Sequence, residues 1–129
     1  MVKNGWVQSG KTWYYMGASG AMATGWIKSG ANWYYMGATG AMVIGWIEDG
    51  GNRYYLGPSG AMVTGWHKDG DNWVYLRPTG ALHIGWLQLG GVWYYTDSDG
   101  IMVTGVQKID KRYHEFDSNG KWIDYYVDK

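Results

Sequence analysis

Counting by twenties from Gly5 lands on glycine every time, at Gly25, Gly45, Gly65, Gly85 and Gly105. A tryptophan follows five of the six, Trp6, Trp26, Trp46, Trp66 and Trp86, and only Val106 breaks the series. Seven residues past these positions stand Trp13, Trp33, Arg53, Trp73, Trp93 and Tyr113, and two further on Tyr15, Tyr35, Tyr55, Tyr75, Tyr95 and Glu115. A fixed period without drift means one supersecondary unit copied in tandem. Each copy is too small to bury a core alone and becomes stable only by stacking on its neighbours.

Within the first copy, Trp6-Val7-Gln8 and Trp13-Tyr14-Tyr15-Met16 are β-prone runs separated by Ser9-Gly10-Lys11-Thr12, the pattern of a hairpin. Gly17-Ala18-Ser19-Gly20 is a second turn, and Ala21-Met22-Ala23 an extended linker into the next copy. No helical periodicity competes with this reading. The expected fold is all-β, a β-hairpin solenoid of about six 20-residue repeats forming one domain over residues 1–129. The repeats are 5–24, 25–44, 45–64, 65–84 and 85–104, followed by an atypical capping repeat 105–124 and a tail 125–129. Lys111, Arg112, Glu115 and the closing Asp128-Lys129 pair supply the polar edge that a cap needs. The same end offers a homodimer contact.

Strand alternation places Trp13 and Tyr15 on one face and Tyr14 and Met16 on the other. The middle position runs Tyr14, Tyr34, Tyr54, Val74, Tyr94 and His114. Because valine replaces tyrosine there once, that position is assigned to packing between repeats. The residues after the opening tryptophan, Val7, Ile27, Ile47, His67, Leu87 and Gln107, are mostly aliphatic and are assigned to the core.

Function is narrowed first by exclusion. Eleven Lys+Arg balance eleven Asp+Glu with no basic run, so phosphate-backbone binding lacks its driving force and no nucleic-acid partner is expected. Cysteine is absent, which removes thiolate chemistry and cysteine metal sites. His67, His83 and His114 fall in different repeat phases, and Glu48 and Glu115 are the two glutamates, far apart in the array. No catalytic pair, metal cluster or cofactor site emerges, and the chain reads as non-enzymatic. Asp69-Gly70-Asp71-Asn72 and Asp97-Ser98-Asp99-Gly100 resemble calcium loops but lack the distal carboxylate, and read as turns. No apolar run approaches a membrane span. Met1-Val2-Lys3-Asn4 leads straight into the first repeat, the expectation being an excised module or one whose export signal has been removed.

What remains is aromatic. Ten Trp and twelve Tyr stand against a single Phe, so these rings are not chosen for apolar volume alone. Trp and Tyr faces carry negative potential, and a box of such rings binds a cation, best a weakly hydrated quaternary ammonium. The competing explanation is that the rings are simply the solenoid's core, though packing alone does not demand tryptophan at two positions of every unit.

At these residues the stretch GWIKSGANWYYMGATGAMVIGW resembles the choline-binding repeats of Gram-positive surface proteins and murein hydrolases, with their GW…WYY…GAM…TGW pattern. The likeness is close from Gly5 to about Gly105 and loose beyond. It implies a hairpin solenoid that attaches its protein to the cell wall, outside the cell, by binding choline or phosphocholine of teichoic or lipoteichoic acid. Related repeats bind glucans, which keeps carbohydrate as the alternative ligand. By the resemblance, choline sits between successive hairpins, walled by two Trp of one repeat and a Tyr of the next, with Met or Leu closing the box. Carried over, the boxes are Trp6, Trp13 and Tyr35; Trp26, Trp33 and Tyr55; and Trp66, Trp73 and Tyr95. Trp86 and Trp93 make an incomplete fifth, since Glu115 stands where a tyrosine is expected. Which tyrosine of each pair faces the ligand stays open. Met22, Met42, Leu82 and Met102 are the closing candidates. In the third box Arg53 stands between Trp46 and Tyr75, a cation where a cation should bind, so that box is expected to be empty or filled by the guanidinium.

Overall fold

The computed structural model describes residues 5–17 and 19–127, so the closing Asp128-Lys129 pair lies outside the described residues. Thirteen strands and no helix are found among them. They pair in order as hairpins: β1 (Gly5–Ser9) with β2 (Thr12–Met16), β3 (Gly25–Ser29) with β4 (Asn32–Met36), and β5 (Gly45–Asp49) with β6 (Asn52–Leu56). Then follow β7 (Gly65–Asp69) with β8 (Asn72–Leu76), β9 (Gly85–Leu89) with β10 (Val92–Thr96), and β11 (Gly105–Ile109) with β12 (Arg112–Phe116). A last strand, β13 (Trp122–Val127), pairs antiparallel with β12 and makes the only three-stranded sheet among the described residues. The expected boundary at 124/125 therefore runs through a strand. The chain forms two compact units, Met1–Val63 and Thr64–Lys129.

Every hairpin has the same register. In the first, Trp6 lies opposite Tyr15, Val7 opposite Tyr14, Gln8 opposite Trp13 and Ser9 opposite Thr12. The connection is thus a two-residue turn, Gly10-Lys11, tighter than the four-residue loop read from sequence. Such turns need positive φ, which glycine adopts without a Cβ penalty. Gly50 and Gly51 supply it at 60° and 85°. In the last hairpin Asp110 and Lys111 are forced to 50° and 70° without that relief.

The most buried positions are the final residues of the second strands, Met16 of the first hairpin being only half-buried. Met36, Leu56, Leu76 and Thr96 are fully buried and Phe116 nearly so. Full burial of a side chain the size of Leu or Met stabilises by about 1.5–3 kcal/mol. Thr96 is the polar residue of this series, and its hydroxyl is satisfied by donating to the His83 carbonyl at 2.8 Å. Of the positions assigned to the core after each opening Trp, Leu87 is buried, while Val7, Ile27, Ile47 and His67 are half-buried.

The linkers carry backbone hydrogen bonds both ways. Val43 N–H donates to the Tyr35 carbonyl of its own hairpin at 2.9 Å, and Met42 N–H donates to the Trp13 carbonyl of the preceding one at 2.8 Å. The pattern recurs at Val63 with Tyr55 and Met62 with Trp33, and in the second unit at Val103 with Tyr95 and Met102 with Trp73. These three linkers thereby stitch successive repeats together. Linkers pass so close to the next turn that a Cβ on Gly40, Gly60, Gly100 or Gly120 would clash with Met22, Met42, Leu82 or Met102.

Candidate aromatic ligand sites

Alternation puts Trp6, Gln8, Trp13 and Tyr15 on one face of the first hairpin and Val7, Tyr14 and Met16 on the other. When hairpins stack, the tryptophan face of one meets the opposite face of the next. The ring of the second hairpin that reaches Trp6 is therefore Tyr34, with centroids 4.8 Å apart at 72°. Tyr35 has the wrong parity to reach it. It lies edge-on against Trp26 of its own hairpin at 5.1 Å.

The same exchange holds at every expected box. Tyr54 meets Trp26 at 5.0 Å and Tyr94 meets Trp66 at 5.1 Å. Tyr55, Tyr75 and Tyr95 pack on Trp46, Trp66 and Trp86 of their own hairpins at 5.0, 5.1 and 5.1 Å. The rings that reach the preceding hairpin's tryptophan are thus Tyr34, Tyr54 and Tyr94, and not the expected Tyr35, Tyr55 and Tyr95. The middle position, assigned from sequence to packing between repeats, does pack on the preceding hairpin's tryptophan, and at Tyr34 and Tyr94 it also lines a trough. A single valine at position 74 masked that role.

Two open troughs result. Trp6, Trp13, Tyr34, Met42 and Ser59 line one of about 250 Å³ in the first unit. Trp66, Trp73, Tyr94 and Met102 line one of about 320 Å³ in the second, with Ser118, Asn119 and Lys121 at its polar side. Trp6 and Trp13 stand nearly perpendicular, at 86° and 6.4 Å. Indole edges are tethered to the next hairpin: Trp6 Nε1 donates to Ser29 Oγ at 3.2 Å and Trp26 Nε1 to Asp49 Oδ2 at 3.0 Å. Those tethers hold the ring faces in place before any ligand arrives.

Of the closing candidates, Met42 and Met102 border these troughs. Met22 bridges Met16, its side chain lying over Gly40, and is 46% exposed; Leu82 is buried against the Gly100 turn. Neither borders either trough. The equivalent residue beside Trp33 is Met62, which shares the backbone bond of Met42 and Met102 and was not singled out from sequence. Its signal was the same repeat phase. At the third position the Arg53 guanidinium lies over the Trp46 ring at 4.9 Å, the self-filled arrangement that the sequence suggested.

Trp86 and Trp93, expected to lack a partner, have two. They meet at 6.1 Å and 88°, and His114 approaches Trp86 at 4.9 Å and 73°. Trp122 completes a cavity of about 370 Å³. His114 occupies the repeat phase of Tyr34 and Tyr94, and Trp122 the phase of Met42 and Met102. The site looked incomplete because position 115 was taken for the wall. Burial, reinforced by the Arg112 charge and opposed by Asp110, holds the His114 imidazole below its usual pKa.

Exposure separates these rings from a core ladder. Trp13, Trp33, Trp73 and Trp93 are 37%, 41%, 41% and 41% exposed, which is costly for the largest apolar side chain unless it serves a surface. Chemically, the troughs offer negative ring faces, a thioether and no carboxylate from their lining residues: a fit to an organic cation. Among the described residues no cluster of His, Asp and Glu could hold a metal, and no helix is long and apolar enough to cross a membrane.

The family profile described as choline-binding repeat matches residues 3–44 and 43–84, and one described as putative cell wall binding repeat matches 84–102. No curated protein matches the chain. Among solved structures, CbpJ from Streptococcus pneumoniae is 41% identical with a TM-score of 0.89, over 92% of this chain and 42% of that protein. Choline binding protein F from the same organism is 40% identical with a TM-score of 0.88, over 93% of this chain and 42% of that one. The modular autolysin LytC of Streptococcus pneumoniae is 25% identical with a TM-score of 0.64, over 100% of this chain and 35% of its own. The chain thus spans less than half the length of the relatives it matches.

Proposed function

The chain belongs to the choline-binding repeat family, and from that premise we propose that it is a non-catalytic attachment module. It holds choline or phosphocholine groups of teichoic or lipoteichoic acid on the outer face of a cell wall. The observation that carries this reading is the ring cage of Trp6, Trp13 and Tyr34 beside Met42, repeated by Trp66, Trp73 and Tyr94 beside Met102. The trimethylammonium group has little hydration to lose, presents methyl groups to ring faces and needs no hydrogen-bond partner. Repetition suits a polymer that carries many identical groups, since weak sites on one chain combine into strong avidity.

Titration with choline, followed by tryptophan fluorescence and by thermal denaturation, tests the reading. A ligand bound only by the folded state stabilises it by about 2.7 kcal/mol per site at a hundredfold excess over Kd. A rise in Tm with choline but not with glucose oligomers is the expected outcome. An unchanged melting curve at saturating choline rejects it.

A further inference from the structure

The last hairpin departs from the repeat at the two positions that wall a site. We infer that the cavity of Trp86, Trp93, His114 and Trp122 is a proton-gated organic-cation site, open to a quaternary ammonium only while His114 is neutral. The inference rests on the cation-binding reading above and adds regulation to one site.

The geometry makes His114 a wall and not a bystander. Its ring meets Trp86 at 4.9 Å in the place where Tyr34 meets Trp6. Trp122 Nε1 donates to His114 Nδ1 at 3.0 Å. That bond requires Nδ1 to be the acceptor, so the neutral ring carries its proton on Nε2. Protonation then does two things at once. It places a hydrogen on the nitrogen that faces the indole N–H, donor against donor. It also puts a full positive charge in a wall whose attraction for a cation depends on negative ring faces. The tyrosine-walled troughs carry no imidazole in their lining and provide an internal control.

The surroundings favour the neutral form. On its own hairpin His114 has Arg112 two residues away and Glu115 next to it, with Asp110 and Lys111 in the turn and Lys108 on β11. Across β12–β13 it faces Tyr125, over whose ring the Arg112 guanidinium lies at 5.3 Å, and Asp124 lies opposite Glu115 on the same ladder. From the preceding hairpin come Trp86 and, packed on it, Tyr95. Behind Trp86, a ring nitrogen of His83 lies 2.7 Å from the Trp86 carbonyl, and Arg77 donates to the other. His83 is thus a second imidazole near the site, and the experiment must separate the two.

The indole N–H resonances of the isotopically labelled full chain report each site separately during choline titrations at pH 7.5 and pH 5.0. The Kd read at Trp86, Trp93 and Trp122 should rise about tenfold for each pH unit below the His114 pKa. The Kd read at Trp6 and Trp66 should change less than about twofold, since no imidazole lines either trough. H114Y should give the end site the pH-independence of the others, whereas H83Q should leave its pH response in place. A second measurement needs no variant: saturating choline must lower the His114 pKa followed through its ring protons, by reciprocity. The inference is overturned by an unshifted His114 titration, by a pH response equal at all sites, or by one that survives H114Y. It is also overturned if choline fills the Trp6 and Trp66 troughs while the end site stays empty at both pH values, which leaves the attachment function standing. Absence of binding everywhere at pH 7.5 overturns both.

Discussion

Replacing Tyr34 with leucine isolates the ring that crosses from one hairpin to the next. Its centroid lies 4.8 Å from that of Trp6, and it forms one of three aromatic walls, with Trp6 and Trp13 perpendicular at 86°. A ring face is worth about 0.5–2 kcal/mol to a bound cation, depending on how dry the site is. At 1.4 kcal/mol per factor of ten, Tyr34→Leu should weaken choline at this trough by about two- to thirtyfold. Losing the edge-to-face pair with Trp6 should lower stability by about 0.5–1.5 kcal/mol as well. Tyr35→Leu is the matched control. That ring lies 5.1 Å from Trp26 on its own hairpin, so it should leave the Trp6 site within about twofold and disturb the Trp26 position instead. The Trp6 indole N–H, anchored on Ser29 Oγ, reports this site alone in a titration followed by nuclear magnetic resonance. If Tyr35→Leu weakens binding at Trp6 more than Tyr34→Leu does, the parity argument is wrong and the walls are misassigned.

Lys111→Gly relieves a φ of 70° in the last two-residue turn and should stabilise the chain by about 0.4–1 kcal/mol, read from urea midpoints. Gly100→Ala combines a φ of 82° with a Cβ driven against Leu82 and should cost more than about 1 kcal/mol, seen as a lower Tm. Leu56→Ala empties a fully buried position and should cost about 2–5 kcal/mol in the same assay. Acid should destabilise the wild type more than His114→Gln. Since the folded pKa of His114 is lowered, its stabilisation is complete above the unfolded value of 6.5 and is lost as pH falls from there through the folded pKa. Denaturant midpoints at pH 7.5 and 5 for the two proteins measure the difference.

The hairpins, their order and their strand faces were legible because a period of twenty and strand alternation are both written in residue types. The tyrosine walls were legible in principle from the same alternation. Tyr34 and Tyr35 point oppositely, and only the former can look back at Trp6, but Val74 suggested that the middle position was dispensable. The end site was hidden by the same shift of one residue, which drew attention to Glu115 when His114 was the wall. Trp122 was obscured because a ring stands where every other repeat has methionine or leucine. Thr96 gave no warning of full burial. Its partner, the His83 carbonyl, is a backbone group that no side-chain pattern encodes. The linker bonds of Met42 and Met62 to the preceding hairpin are likewise backbone events, set by stacking and not by residue type.

The trough at Trp6 draws its walls from Trp6 in the first hairpin to Ser59 in the turn after the third. One small molecule lodged there is therefore a cross-link among three repeats, although no chain segment connects them directly at that point. In a linear array, breathing begins at an end and spreads by breaking one interface at a time. With the trough occupied, the first hairpin cannot leave without also giving up the ligand's contacts to the linker and turn beyond its neighbour. The smallest fragment that can open becomes longer than a single repeat. A polymer that filled such troughs would therefore make each opening larger and rarer, and protease access with it, most where its cationic groups are densest.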